Sequence, residues 1–330
     1  MNDRTVFQTK KPNFIIVGAP KTSTTSLYYY LRAHPEIYMS PVKEPQYFAQ
    51  DLNQNAQQPW NIEKYLVQNP LSFKQHGNFE RLENYLELFR EAENETALGE
   101  ASVLYMVSKV ASHSIYEFDP KMKIIMILRD PIRRAYSRYL MAVKEGRFDC
   151  LDPSVSHFKA IINDLMETGQ KYSTEYQQFV DESLYFRQVK RFLDLFPIDQ
   201  VKIIIFEEMI KDYPMAYKGI LEFLGVSDTE FQPDFNKKYF ESKIPTSKRV
   251  LFTNKVMKKI TDSKLNNKFI PEFMRKIWRK FRHSRDKKAY RTEKIPKPTE
   301  KDRKELLSFF KDDILKLEKL IDRNLSSWYN

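Results

Sequence analysis

Short apolar runs alternate along this chain with longer amphipathic stretches. Phe14 to Val17 is a β-branched run broken by Gly18 and Pro20, and it predicts a buried parallel strand. Leu27-Tyr-Tyr-Tyr-Leu31 follows at helical spacing. Ala33-His34-Pro35 ends that helix, because proline disfavours helix in the residue before it. Glu36–Ser40, Ala97–Tyr105, Lys121–Leu128 (core Ile124 to Leu128) and Val201–Phe206 repeat the strand signature, the second running into a loop. Helical patterns cover Phe79–Phe89, Leu151–Gly169, Asp181–Phe196, Met215–Leu224 with Gly225 as C-cap, and Lys301–Asn324 ahead of a Leu325–Trp328 tail. Strands alternating with helices predict an α/β fold, three layers with a central parallel sheet between helices.

Between these elements, Asp51 to Gly77 is polar, rich in Asn and Gln, and predicts a long excursion suited to contacting a substrate. With 330 residues, 42% hydrophobic and 14% aromatic, the chain can bury one large core, or one core with an appended subdomain. We expect one domain over 13–330, a polar arm over 1–12, and a basic helical subregion over 236–304. No apolar run approaches the length of a membrane span, and Met1 to Pro12 lacks the apolar stretch of a signal peptide. The single cysteine, Cys150, rules out an internal disulfide and a cysteine-based metal site. A cytoplasmic enzyme is the simplest expectation.

The net charge of +11 is uneven: residues 236–304 hold 24 Lys and Arg against 7 Asp and Glu, leaving 31 against 37 elsewhere. That segment suits an acidic ligand, an acidic acceptor or an anionic membrane. Phe273, Ile277, Trp278 and Phe281 share one helical face with cations opposite. Within 273–282 this fits either a peripheral membrane helix or a helix docked on the core. No nucleic-acid-binding motif occurs there, so no nucleic-acid partner is expected.

The chemistry concentrates at Gly18-Ala-Pro-Lys-Thr-Ser-Thr-Thr-Ser26. A strand, a tight turn holding one lysine and a helix opening on hydroxyl residues make an oxyanion cradle. Lys21 adds a point charge suited to phosphate or sulfate. The nucleoside-triphosphate loop G-x-x-x-x-G-K-[ST] is not met, since no second glycine follows Gly18 before Lys21. A strand–turn–helix unit without ligand stays open at this point. Farther on, Arg129 ends a buried strand, Pro131 opens the next helix, and Ser137 lies two turns in. In an open parallel sheet ligands bind outside the strand ends, where Arg129 and Ser137 can clamp one phosphate.

The order Pro20-Lys-Thr-Ser-Thr-Thr25, and Arg129 eight residues before Ser137 after a buried strand, resemble the two phosphate motifs of sulfotransferases that use 3′-phosphoadenosine 5′-phosphosulfate (PAPS). The pattern is similar to the glycan (heparan-sulfate-type) and bacterial members. The resemblance implies that Pro20, Lys21, Thr22, Ser23, Thr24 and Thr25 hold the 5′-phosphosulfate, with Lys21 also catalytic, and that Arg129 and Ser137 hold the 3′-phosphate. His34-Pro35 followed by Glu44-Pro-Gln-Tyr-Phe48 matches a family segment, which implies Glu44 as the base that takes the acceptor proton; Gln46 replaces a common His. A surface carboxylate paired with Lys43 is the plain alternative for Glu44. Gly99-Glu-Ala-Ser102 resembles a segment near the acceptor, which makes Lys43, Glu100 and Ser102 substrate-side candidates beside a structural role. No metal is required.

The resemblance implies sulfuryl transfer to a hydroxyl or amine of an acceptor, with a carbohydrate or lipid-linked sugar favoured. The rivals are a Mg-ATP-dependent small-molecule kinase, with Asp130 as its metal ligand, and a basic nucleic-acid or membrane-binding module. Arg133, Arg134 and Arg138 read as a solvated helix face, and Glu207 and Glu208 as structural.

Overall fold

A computed structural model describes residues 10–52, 79, 81–148, 150, 151, 153–168, 173–237, 239, 244–262 (backbone only for 256–262), 290, 291 and 295–329. The excursion expected over 51–77 (apart from 51 and 52) and the helix over 273–282 lie outside these residues. The elements in chain order are β1 (Phe14–Gly18), α1 (Thr24–Arg32), β2 (Ile37–Met39), α2 (Leu82–Leu86), β3 (Ala97–Ala101), α3 (Ala111–Phe118) and β4 (Lys123–Leu128). They continue as α4 (Pro131–Lys144), α5 (Val155–Glu167), α6 (Thr174–Phe179), α7 (Tyr185–Leu193), β5 (Val201–Ile205), α8 (Phe206–Met209) and α9 (Tyr213–Leu224). The last are β6 (Ile244–Pro245), α10 (Lys248–Asp262), β7 (Tyr290–Arg291), α11 (Glu300–Leu307) and α12 (Lys311–Ile321).

Five strands form one parallel sheet in the order β2-β3-β1-β4-β5. Both faces are covered, as the uninterrupted apolar runs of β1 and β4 require. Ile15, Val17, Ile124, Met126 and Leu128 point into one core, packed with Ile132, Tyr139 and Val189. Phe14, Ile16, Ile125 and Ile127 point into the other, with Leu27 and Leu31 of α1 and Tyr217 and Leu221 of α9. The expected three-layer α/β/α arrangement is therefore what folds. β1 sits centrally and approaches the turn after β3 closely. A Cβ on Gly18 would lie 2.8 Å from Cβ of Met106, so only glycine fits the point where the strand gives way to the loop.

Gly225 ends α9 with φ at 80°, as its position after the helical pattern predicts. The stretch Phe79–Phe89 is less helical than expected: α2 runs to Leu86 and a 3-10 turn covers Glu87–Phe89. The single helix expected over Lys301–Asn324 is two. Asp312 and Asp313 occupy the first turn of α12, where carboxylates suit a helix N-terminus, and Asp313 accepts from the Phe186 N–H at 3.1 Å.

The polar link before Asp181 also folds, as α6, capped by Ser173. Ile244 and Pro245 pair antiparallel with Arg291 and Tyr290, so the described part of the basic region is anchored as a two-stranded ribbon.

Candidate active site

Most of the candidate side chains lie at or just after the carboxyl end of a strand, and Glu207 stands at the same edge. Lys21 comes after β1, Glu44 after β2, Glu100 and Ser102 at the end of β3, Arg129 after β4 and Glu207 after β5. Parallel strands put these loops on one edge, where open α/β sheets bind ligands.

The loop after β1 is held by its own atoms. Thr22 is buried, and its hydroxyl donates to the Ala19 carbonyl at 2.7 Å, which makes it a brace for the turn. Lys21 and Ser23 have φ of 71° and 63°, the left-handed region in which alternating residues form a concave nest of N–H groups. Ser23 is the N-cap of α1 but makes no side-chain capping bond, and no acidic residue stands in the first turn. The first-turn N–H groups and the hydroxyls of Ser23 and Thr25 thus stay available to an anion. Pro20 and Thr24 are buried within the turn, and Thr25 is half-buried.

Arg129 joins this loop directly. Its Nη1 donates to the Lys21 carbonyl at 3.1 Å, and its guanidinium lies 4.6 Å from the Phe206 ring centroid. Nε of Arg129 is buried and has no hydrogen-bond partner among the described residues. Ser137 stands half-buried two turns along α4.

The same helix carries residues that sequence reading missed. Met141 Sδ lies 3.5 Å from Lys21 Nζ, and the charges of Arg138 and Lys144 act on Lys21. Spacings of four and seven from Ser137 put Met141 and Lys144 on its face of the helix, which was the available signal. Burial first, then Arg138, Lys144 and Arg129, pull the Lys21 ammonium down to about 8. A cradle of like charges with a buried unpartnered guanidinium nitrogen fits a polyanion such as a nucleotide bisphosphate. The basic ribbon docks beside it: the Lys144 ammonium lies 5.3 Å from the Tyr290 ring centroid, and Asn254 Nδ2 donates to the Lys144 carbonyl at 2.8 Å.

Glu44 belongs to a second cluster, formed at the ends of β3 and β2. Lys43 Nζ lies 2.5 Å from Glu44 Oε1 and both side chains are buried, so the pair is not the surface pair of the plain alternative. Glu44 adopts φ of 60° and donates its N–H to the Ala101 carbonyl at 2.9 Å, tying the segment to β3. Beneath it Glu100 is fully buried. Ser102 Oγ donates to Glu100 Oε2 at 2.8 Å and accepts the Gln46 N–H at 3.1 Å, while the Tyr85 hydroxyl donates to Glu100 Oε1 at 3.5 Å. Burial pushes the Glu100 carboxyl up to about 7 against these donors and the Lys43 charge. Glu100 and Ser102 therefore support the Glu44 segment from below.

Three arginines expected on a solvated face divide differently. Arg133 is exposed, whereas Arg134 is fully buried with Nη1 2.7 Å from Glu182 and Nε 2.6 Å from Ser183 Oγ; Arg138 is buried against Gln178 and Glu145. A run of arginines reads as polar surface because Gln178, Glu182 and Ser183, which accept from Arg134 and Arg138, lie 40 or more residues on, on and after α6. Glu207 and Glu208 are structural, as expected: Glu207 accepts from Asp130 N and Trp328 Nε1, and Glu208 pairs with Arg323.

A five-stranded parallel sheet covered by helices, with a strand–turn–helix loop on its central strand and Arg129 at the end of the next, has a P-loop-like α/β architecture. The chain matches the sulfotransferase family over residues 12–230 and belongs to that family. It is 28% identical over 170 residues to a membrane-associated sulfotransferase, kil1, of Dictyostelium discoideum, covering 51% of this chain and 31% of that protein. It is 28% identical over 222 residues to human bifunctional heparan sulfate N-deacetylase/N-sulfotransferase 3, covering 65% of this chain and 22% of that protein. The chain thus spans about a third or less of the length of these relatives. The crystal structure of a sulfotransferase from Alicyclobacillus acidocaldarius is 28% identical with a TM-score of 0.65, covering 97% of this chain and all of that one. Among the described residues no helix is long and apolar enough to cross a membrane.

Proposed function

We propose that residues 13–330 act as one transferase unit that moves the sulfuryl group of PAPS to a hydroxyl or amine of an acceptor, the acceptor being a carbohydrate or a lipid-linked sugar. The observation that carries this reading is the hydrogen bond from Arg129 to the Lys21 carbonyl, which brings the loop after β1 and the end of β4 into one unit. A ligand with two separated phosphoryl-type groups fits that unit, and a 3′-phosphate distinguishes it from ATP. When bound, PAPS supplies an activated sulfuryl group whose leaving group is a phosphate. Lys21 and the N–H groups of the loop would hold the 5′ end and stabilise negative charge developing there. Arg129 and Ser137 would hold the 3′-phosphate, and Glu44 would take the acceptor proton. Positioning and electrostatics carry the remainder, as in phosphoryl transfer.

The kinase alternative is weakened at Asp130. Its carboxylate is 2% exposed and is already used, with Oδ1 accepting from Ile132 N at 2.9 Å and Arg133 N at 3.1 Å, and Oδ2 paired with Arg303. The carbohydrate class draws support from the heparan sulfate relative and from mouse carbohydrate sulfotransferase 15, 30% identical over 152 residues, which cover 39% of this chain and 27% of that protein. For location we propose a cytoplasmic enzyme with peripheral membrane contact through residues 273–282. Sedimentation with anionic vesicles, abolished by deleting that segment, is the expected result.

The test of function is a melting experiment with 3′,5′-adenosine bisphosphate, AMP and Mg-ATP. A ligand at about 100 times its dissociation constant adds roughly 2.7 kcal/mol. Stabilisation by the bisphosphate, absent in Arg129→Ala, is expected. A shift with Mg-ATP alone would overturn the reading in favour of the kinase.

A further inference from the structure

The C-terminal tail reaches back to the turn that carries Arg129, and four residues close a ring there. Asp130 N donates to Glu207 Oε1 at 3.2 Å, and Trp328 Nε1 donates to Glu207 Oε2 at 3.3 Å. Arg303 Nη2 donates to the Trp328 carbonyl at 3.1 Å, and Arg303 Nη1 pairs with Asp130 Oδ2, which completes the circuit. The ring joins the ends of β4 and β5 to α11 and to a tail 198 positions away from Asp130. Trp328 is 1% exposed and Asp130 2%, so these bonds form where water competes poorly.

The residue so held is the neighbour of Arg129. Its backbone N–H is fixed from one side by Glu207 and its carboxylate from the other by Arg303, while Phe206, next to Glu207, backs the Arg129 guanidinium. The remaining carboxylate oxygen of Asp130 caps α4, the helix that presents Ser137. A planar fork such as arginine gains its bidentate grip only when its base is held, because free rotation returns the advantage to solvent.

We propose that Trp328 and Arg303 are positioning residues for the second phosphate grip: the tail acts as a latch that sets Arg129 and so gives this protein its preference for a 3′-phosphorylated nucleotide. This rests on the PAPS reading above.

The latch makes a prediction that a merely structural tail does not. Dissociation constants for 3′,5′-adenosine bisphosphate and for AMP are measured by titration calorimetry on the full chain. The wild type is compared with Trp328→Phe, Arg303→Gln and Arg129→Ala. Trp328→Phe keeps the aromatic bulk and deletes the bond to Glu207. It should lower the preference for the bisphosphate roughly three- to tenfold, the worth of one hydrogen bond, and leave AMP affinity within about twofold. Arg303→Gln should shift the same ratio, and Arg129→Ala sets its floor. Should Trp328→Phe fail to fold, Arg303→Gln, with the indole in place, reads the latch alone. Equal weakening of both ligands, or an unchanged ratio in folded variants, overturns the latch while leaving the cofactor reading intact. A wild type without preference for the bisphosphate overturns the cofactor reading and the latch with it.

Discussion

Nη1 of Arg129 donates to the backbone carbonyl of Lys21 at 3.1 Å, so the loop after β1 and the end of β4 share a hydrogen bond. That arrangement carries a cost: the ammonium of Lys21 faces three further cations and is partly stripped of water.

That cost sets a pH dependence. The Lys21 ammonium titrates near 8, against an ordinary 10.5, through burial first and then Arg138, Lys144 and Arg129. A bound dianion favours the charged form, so binding takes up a proton when the pH is near or above 8. Bisphosphate affinity should be highest around neutrality and fall above about pH 8, approaching tenfold per pH unit. Lys21→Arg, which stays charged, should remove the inflection. An inflection that persists in Lys21→Arg would assign it to another group.

Glu44 is testable by separating binding from turnover. Glu44→Gln retains shape and the N–H bond to Ala101, and the nucleotide grips stand on other strands. Bisphosphate affinity should therefore stay within about twofold while sulfuryl transfer falls by roughly two to four orders of magnitude, the usual contribution of a general base. Full turnover in the variant would remove Glu44 from that role.

The parts of the site that were legible in the sequence are those coded locally. The run Phe14–Val17, the break at Gly18 and the hydroxyl-rich helix start identify the loop after β1, because strand, turn and helix start each leave a mark within a few residues. Arg129 and Ser137 were equally visible, since a buried strand and Pro131 bracket them. What the sequence did not disclose depends on contacts between distant segments. Ala97–Ala101 reads as a strand, but its place between β1 and β2 is set by pairing with both and leaves no local mark. Lys144 and Tyr290, or Asp130 and Trp328, carry no pattern that links them. The sequence marks Glu100 as a candidate beside the acceptor, but its burial among Tyr85, Tyr105 and Ser102 shows only in the fold.

Arg134 offers a direct test of that distant packing. Its guanidinium is fully buried against Glu182, Ser183 and the Gln178 and Phe179 carbonyls, and burial pushes the Glu182 carboxyl upward even beside it. Arg134→Ala removes the cation bonded directly to that buried carboxylate, leaving only the charges of Arg138 and Arg147 to act on it, and it should cost about 3–5 kcal/mol by chemical denaturation. Arg134→Met with Glu182→Leu should recover most of the loss, since replacing both members of a buried pair by apolar groups is often neutral. A loss below about 1 kcal/mol in Arg134→Ala would show that the pair is open to water.

Glu100 couples the support of Glu44 to pH through stability. Its folded value near 7 lies above the ordinary 4.5, with burial as the cause, opposed by Ser102, Tyr105, Tyr85 and the charge of Lys43. Because the folded value is raised, the protonated acid is the form that the fold prefers. Its contribution is complete below about pH 4.5 and is lost as the pH rises through 7. The difference of about 2.5 pH units sets an upper size of roughly 3 kcal/mol. Asp313, raised to about 6, bends the curve in the same direction, so the informative quantity is the difference between wild type and Glu100→Gln. Glutamine keeps the volume and cannot ionise. Between pH 5 and 8 the wild type should lose more stability than the variant, and the two urea midpoints should converge or cross toward the alkaline end. Parallel curves would mean that Glu100 is already ionised at pH 5. Its bonds to Ser102 and the tyrosines would then outweigh burial, and a charged carboxylate would lie beneath the Glu44 segment.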